Sequence, residues 1–217
     1  MFLNLIKAGG ITMIPLAILA IIALAIFIDK IIFYQKLVKI PHQLVDLIEK
    51  YNFDWNLLKN NLKQLPTQNC YRQFFEAIVE IQDQKSSPKQ INQEIPVWWI
   101  ESRTNDQAKI IEKKLNSSLW LLETIITASP LLGLLGTIIG MMSSFKIIGN
   151  STIINPTLVS AGVAESLIAT GFGLLIAIIA LFAFNYFSRL QNQTLDEMER
   201  LATKLIDHIK IDRKIID

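Results

Sequence analysis

The chain has 217 residues, of which 51% are hydrophobic and only 18% are charged, and its formal net charge is +2. Soluble domains are usually about 25% charged, and here 22 of the 40 charged residues fall in 31–117 and another 12 in 188–217. This uneven distribution excludes one ordinary soluble domain, and the small net charge predicts no nucleic-acid partner. The single Cys70 and the two distant histidines suggest no disulfide framework and no metal site. We therefore expect no cofactor and no enzymatic activity.

The first apolar run, Ile11–Ile28, contains 18 residues without a charge. A membrane-spanning helix needs about 20 mostly apolar residues. A cleaved signal peptide is the alternative, because Ala23-Leu24-Ala25 loosely fits a cleavage site, but the apolar run continues past it. Three lysines follow the run and one precedes it, so the positive-inside rule places the N-terminus outside. We predict that 1–30 is an N-terminal transmembrane helix.

Residues 31–117 are predicted to form a cytoplasmic helical domain. Apolar residues recur there every three or four positions, which indicates amphipathic helices that pack as a small bundle or contact another subunit. Asn52–Asp54 should break the first helix, and Gln84–Pro96 should form a loop. No helix-breaking residue is evident between the last helix of this domain and the second predicted span, so the two are expected to form one long rod. The periodic positions include Leu44, Ile48, Tyr51, Phe74, Ile78, Ile100, Thr104, Ile111 and Leu115.

Two further charge-free runs of 22 and 23 residues are Thr124–Phe145 and Ser166–Ser188. Each is long enough to cross a bilayer. A helical tail with six basic residues follows the last run and should be cytoplasmic. We predict a second transmembrane helix over 118–149, an external turn over 150–155, a third transmembrane helix over 156–188 and the tail over 189–217.

Small residues form a stripe on each of the last two predicted spans. Such stripes let helix backbones approach closely in lipid. They predict helix contact within one subunit, contact between subunits or a pore lined by these faces. The stripes contain Gly133, Gly136, Thr137, Gly140 and Ser144 on the second span, and Gly162, Ser166, Thr170, Gly173, Ala177 and Ala180 on the third.

Glu165 is the main candidate functional residue. The pair Asn155-Pro156 is a good helix start, and Glu165 follows Pro156 by nine residues, about 13 Å along the axis. An acid at that depth inside a membrane is costly and indicates function. The alternative is that the helix begins outside the membrane and Glu165 lies at the interface. Glu123, at the start of the second span, is interpreted as an interfacial charge.

Two segments resemble the ExbB/TolQ/MotA family of proton-driven motor channels, and most of all its ExbB and TolQ branch. Residues 128–145, ASPLLGLLGTIIGMMSSF, are similar to the second span of the family, and residues 163–174, VAESLIATGFGL, are similar to its third. Three spans, with a large cytoplasmic domain between the first two, also fit. The family often has proline where Ile179 stands, which puts a kink of the third helix in doubt.

The resemblance implies an all-α polytopic membrane protein whose long helices extend into the cytoplasm. It implies a homo-oligomeric ring, a pentamer, in the lipids of the bacterial inner membrane, with the N-terminus periplasmic and the C-terminus cytoplasmic. The ring would surround a single-span ExbD- or TolR-like partner and pass energy from the proton motive force to a TonB- or TolA-like protein. Glu165, Thr170 and Thr137 match the polar lining of the proton path of the family. A TolQ-like envelope-maintenance motor and a non-conducting scaffold remain as alternatives, and a membrane enzyme ranks last.

Overall fold

The structure, a computed structural model, describes residues 10–51, 53–83, 96–150 and 156–212. In these ranges the regular secondary structure is entirely α-helical, which confirms the all-α part of the expected fold class. The helices are α1 (Met13–Leu37), α2 (His42–Glu49), α3 (Trp55–Gln64), α4 (Cys70–Asp83), α5 (Val97–Leu115), α6 (Leu119–Asn150) and α7 (Pro156–Asp212).

Three of the helices are long and apolar enough to cross a membrane, as expected. The candidate spans are Met13–Leu37, Leu119–Lys146 and a part of Ser160–Asp212. Helix α1 continues seven residues beyond the predicted end of the first span. Helix α7 has 57 residues, or about 86 Å at 1.5 Å per residue, so it is far longer than a hydrocarbon core of about 30 Å. The third span and the tail are therefore one continuous helix.

The expected rod between the helices of residues 31–117 and the second span is interrupted. Helix α5 ends at Leu115, and α6 begins only at Leu119. Ser118 between them has a φ of 68°, which no helix accommodates. The Ser117 hydroxyl donates a hydrogen bond to the carbonyl oxygen of Lys114 at 2.8 Å. Asn and Ser side chains compete with helical hydrogen bonds in this way, so Asn116-Ser117-Ser118 is the breaker that apolar spacing alone does not reveal.

The chain divides into two compact units. The first, called here the membrane unit, comprises Met1–Asp29 and Ser118–Ser188. The second, called the helical unit, comprises Lys30–Ser117 and Arg189–Asp217. Each unit contains parts of α1 and α7, because both helices run through the boundary.

The core of the helical unit is built from the apolar stripes that the sequence indicates. Leu44, Ile48, Phe74 and Ile78 are at most 1% exposed. Tyr51 is an exception, since its side chain is 86% exposed. The reason is that α2 ends at Glu49, so the helical spacing no longer applies at Tyr51. Residues 84–95 of the predicted loop, residues 151–155 of the predicted external turn, Asn52 and the Asn155 cap lie outside the described residues.

Candidate functional site

Helices α6 and α7 lie against each other through glycines in the membrane unit. A Cβ atom built on Gly133 would lie 3.0 Å from the Cα atom of Thr170. One built on Gly140 would lie 3.3 Å from the carbonyl oxygen of Gly162, and one on Gly173 would lie 3.2 Å from the Cα atom of Gly133. These distances are shorter than ordinary contacts of a Cβ atom, so the two backbones approach closely at these positions.

The remaining predicted packing residues lie in the same region. Gly136, Ser166 and Ala177 are buried. A Cβ atom on Gly136 would lie 2.7 Å from the Cβ atom of Ala169 on α7. The Ser166 hydroxyl donates to the carbonyl oxygen of Gly162 at 2.8 Å, so its hydrogen-bonding need is met inside α7. Both small-residue stripes thus face each other within one chain.

Glu165 lines a cavity between α6, α7 and the turn that precedes α1. Its volume is about 340 Å³. Helix α7 contributes the carboxylate, α6 contributes glycines and serine hydroxyls, and the turn before α1 contributes the third wall. The lining residues are Gly10, Ile11, Thr12, Gly136, Ile139, Gly140, Ser143, Ser144, Ala161, Gly162 and Glu165.

The two threonines matched to the family do not line this cavity. The Thr170 hydroxyl donates to the carbonyl oxygen of Gly133 at 2.9 Å, across the α6–α7 contact. The Thr137 hydroxyl donates to the carbonyl oxygen of Leu134 at 2.7 Å in its own helix. Glu165 and Thr170 are five residues apart, about 140° around α7. The structure therefore places the acid and Thr170 on different sides of the helix.

Among the described residues, no basic side chain forms an ion pair with Glu165. The same ranges hold no cluster of three metal-ligating side chains. The Cys70 thiol is in the helical unit and is completely buried, and burial raises its pKa, so it is a poor nucleophile.

Gly10, Thr12 and Ser143 belong to the cavity although sequence analysis did not select them. Thr12 is a polar residue in an apolar run, and its side chain is only 6% exposed. The sequence offers two signals for them, a glycine directly before the first predicted span and a threonine inside it. They were weak because nothing in the local sequence shows that the start of α1 meets α7.

Comparison with known protein families identifies the family to which the chain belongs. The sequence model of the MotA/TolQ/ExbB proton channel family matches residues 66–200, more than half of the chain. The chain belongs to the MotA/TolQ/ExbB proton channel family. The match includes α6, the whole membrane part of α7 and Glu165.

Relatives place the protein with the ExbB and TolQ members of the MotA/TolQ/ExbB family. A Synechocystis protein named as an ExbB-like biopolymer transport protein is 33% identical over 84% of this chain and 83% of its own length. The biopolymer transport protein ExbB of Aquifex aeolicus is 34% identical over 42% of this chain and 62% of its own length. The Tol-Pal system protein TolQ of Pseudomonas aeruginosa is 48% identical over 36% of this chain and 33% of its own length. With its three apolar helices, this member of the MotA/TolQ/ExbB family is a multi-pass inner-membrane protein.

Proposed function

We propose that the protein is a proton-channel subunit that uses the proton motive force to drive work at the outer membrane. Five copies would form a ring around the membrane helix of an ExbD- or TolR-like partner, and a TonB-like protein would carry the energy outward. The proposal is supported by the family, by three apolar helices and by relatives named as biopolymer transport proteins.

The observation that carries the proposal is the position of the Glu165 side chain at a cavity of the membrane unit that is also lined by Thr12, Ser143 and Ser144. An ionised acid within a span costs free energy, up to about 2.5–3.5 kcal/mol at the centre of the span on insertion scales. Binding a proton removes that cost, and contact with water or a polar partner lowers it. Proton uptake and release at Glu165 can therefore be coupled to movement of the partner.

In the proposed orientation the N-terminus is periplasmic and the tail is cytoplasmic. The cavity is formed by the turn before α1, the second half of α6 and the start of α7, so Glu165 would lie in the periplasmic half of the membrane. We assign Thr137 and Thr170 to the proton path beyond Glu165. Their hydroxyls already donate to carbonyl oxygens, and each can still accept a hydrogen bond from a water molecule.

The test is the substitution Glu165→Gln, measured in cells as proton-dependent transport and in vesicles as partner-dependent proton flux. The amide has nearly the same shape, so the oligomer should assemble while flux is abolished. Glu165→Asp should keep part of the activity. Glu123→Gln is the matched control, because it removes an exposed acid at the other end of α6 and should leave flux intact. Full flux in Glu165→Gln would reject the proton-carrying role.

The TolQ relative favours a second candidate within the same class, a motor that maintains the envelope instead of driving import. Deletion of the gene would separate the two: loss of envelope integrity indicates the TolQ-like envelope motor, and loss of nutrient uptake indicates the motor that drives import. A scaffold that does not conduct protons is the remaining alternative. It would keep its function in Glu165→Gln.

A further inference from the structure

The turn that precedes α1 lies directly against the Glu165 side chain. A Cβ atom built on Gly10 would collide with the Oε1 atom of Glu165 and lie 3.3 Å from its Cδ atom. Gly10 also has a φ of +70°, a conformation that side chains other than those of Asn and Asp rarely adopt. The backbone of Gly10 therefore occupies a place that only glycine fills without displacing the carboxylate.

A second close contact holds the same turn against α6. The Thr12 side chain is buried, and a Cβ atom on Gly136 would lie 2.6 Å from its Oγ1 atom. The Met13 amide donates to the carbonyl oxygen of Gly10 at 3.1 Å, which closes the turn. Two glycines, one in the turn and one on α6, thus let the start of the first span reach the Glu165 cavity.

We propose that Gly10 is a positioning residue for Glu165, so that the first membrane helix takes part in the proton site. The turn Gly10–Thr12 supports the carboxylate from one side and fixes the direction in which it points within the cavity. The proposal rests on the proposed role of Glu165 as the proton carrier. Proton transfer requires donor and acceptor at hydrogen-bonding distance, and a displacement of about 1 Å can lower a rate about a hundredfold.

The first test compares Gly10→Ala with Gly171→Ala in the full complex with its single-span partner. A Cβ atom on Gly171 would have no atom within 4 Å, so that variant is a matched control for glycine replacement. Gly10→Ala should lower partner-dependent proton flux by about tenfold or more, while Gly171→Ala should stay within about twofold of the unmodified protein. Wild-type flux in Gly10→Ala would overturn the proposal.

A rescue experiment separates positioning from general damage. Aspartate is one methylene shorter than glutamate and leaves room for the methyl group at residue 10. In Gly10→Ala/Glu165→Asp the combined loss of flux should therefore be smaller than the product of the two single losses. A loss equal to that product would mean that Gly10 does not act through the carboxylate and would overturn the proposal.

Two further measurements keep the result decisive. Gly10→Asn tolerates the positive φ but still places a Cβ atom against Glu165, so it should lose flux even if Gly10→Ala fails to assemble. Labelling of Glu165 with dicyclohexylcarbodiimide, followed by mass spectrometry, reports on the carboxylate without using transport. The labelling rate should change in Gly10→Asn and not in Gly171→Ala. An unchanged rate would reject the contact, whereas a changed rate with full flux in Glu165→Gln would reject only the proton-carrying role.

Discussion

Lys30 and Leu115 are joined by a buried hydrogen bond in the helical unit. The Nζ atom of Lys30 donates to the carbonyl oxygen of Leu115 at 2.7 Å, and the Lys30 side chain is 1% exposed. Leu115 is the last residue of α5, and the final carbonyl groups of a helix have no partner within it. A cation at this end is also favoured by the helix dipole. Lys30 therefore stabilises the end of α5 where the chain turns.

Replacing Lys30 by Met should destabilise the helical unit. The apolar stem is retained, but the carbonyl oxygen of Leu115 loses its charged donor, and an unsatisfied buried group costs about 1–3 kcal/mol. The measurement is denaturant unfolding of the purified protein in detergent. Lys36→Met is the control, because Lys36 is an exposed lysine of the same helix. Equal stability of the two variants would contradict the capping role.

A disulfide between α6 and α7 should form within one chain. A Cβ atom on Gly162 would lie 3.4 Å from the Cβ atom of Ser144, close to the 3.5–4.5 Å range of disulfides. Ser144→Cys/Gly162→Cys, made with Cys70→Ser, should oxidise to an intrachain bridge that mass spectrometry detects. Ser144→Cys/Gly171→Cys is the control and should stay reduced. A crosslinked dimer would show that the small-residue faces meet between subunits instead.

Gly173 should tolerate no large side chain. A Cβ atom there would meet the carbonyl oxygen of Ser129 and lie 3.3 Å from the amide nitrogen of Gly133, and both are backbone atoms that cannot rotate away. We expect Gly173→Leu to force α6 and α7 apart and to reduce the yield of assembled oligomer on native gels. Gly171→Leu, two residues away on an open face, should assemble normally. Equal yields would show that this contact does not limit assembly.

Thr170→Val separates packing from proton conduction. The substitution removes the hydrogen bond to Gly133 but keeps the shape, and such bonds between membrane helices average about 0.6 kcal/mol. The oligomer should therefore remain stable, while partner-dependent proton flux falls if the hydroxyl serves the path. Thr170→Ser should retain flux. Unchanged flux in Thr170→Val would leave Thr170 with a packing role alone.

Much of the fold could be predicted because its determinants are local. The length of an apolar run indicates a span, and three- or four-residue spacing indicates an amphipathic helix. Ile48 and Phe74 follow this rule and are buried. Glu165 could be selected because a single acid next to a long charge-free run is conspicuous. These signals do not depend on which helix lies next to which.

The residues whose roles the sequence does not indicate depend on contacts between distant segments of the chain. In the sequence Lys30 is only one of the three lysines that follow the first apolar run, yet it is buried because the end of α5 lies beside it. Gly10 and Thr12 reach the Glu165 cavity from more than 150 positions away in sequence. Tertiary packing of this kind is not visible in local sequence patterns. A lysine, a glycine or a threonine at these positions is not distinctive.

Tyr71 forms a hydrogen bond with a carboxylate inside the helical unit. This contact makes the stability of the unit depend on pH. Its hydroxyl donates to the Oε2 atom of Glu197 at 2.5 Å, and the side chain is 2% exposed. Burial, followed by the hydrogen bond to Glu197, raises the pKa of Tyr71 above its ordinary value of 10.0. In the unfolded chain the phenol titrates at about 10.

The direction in which stability changes with pH follows from the number of protons that the folded and unfolded states bind. Below about pH 10 the phenol is protonated in both states, so its stabilising contribution is complete; above that pH the unfolded chain loses the proton first, and stability falls by up to about 1.36 kcal/mol per pH unit. We expect urea unfolding midpoints to decrease as the pH rises above about 10. Tyr71→Phe should be less stable at neutral pH by about 1 kcal/mol and should show a flatter alkaline decrease. Tyr51→Phe, which changes an exposed tyrosine, should keep the decrease of the unmodified protein. An identical decrease in all three proteins would mean that Tyr71 does not contribute to it.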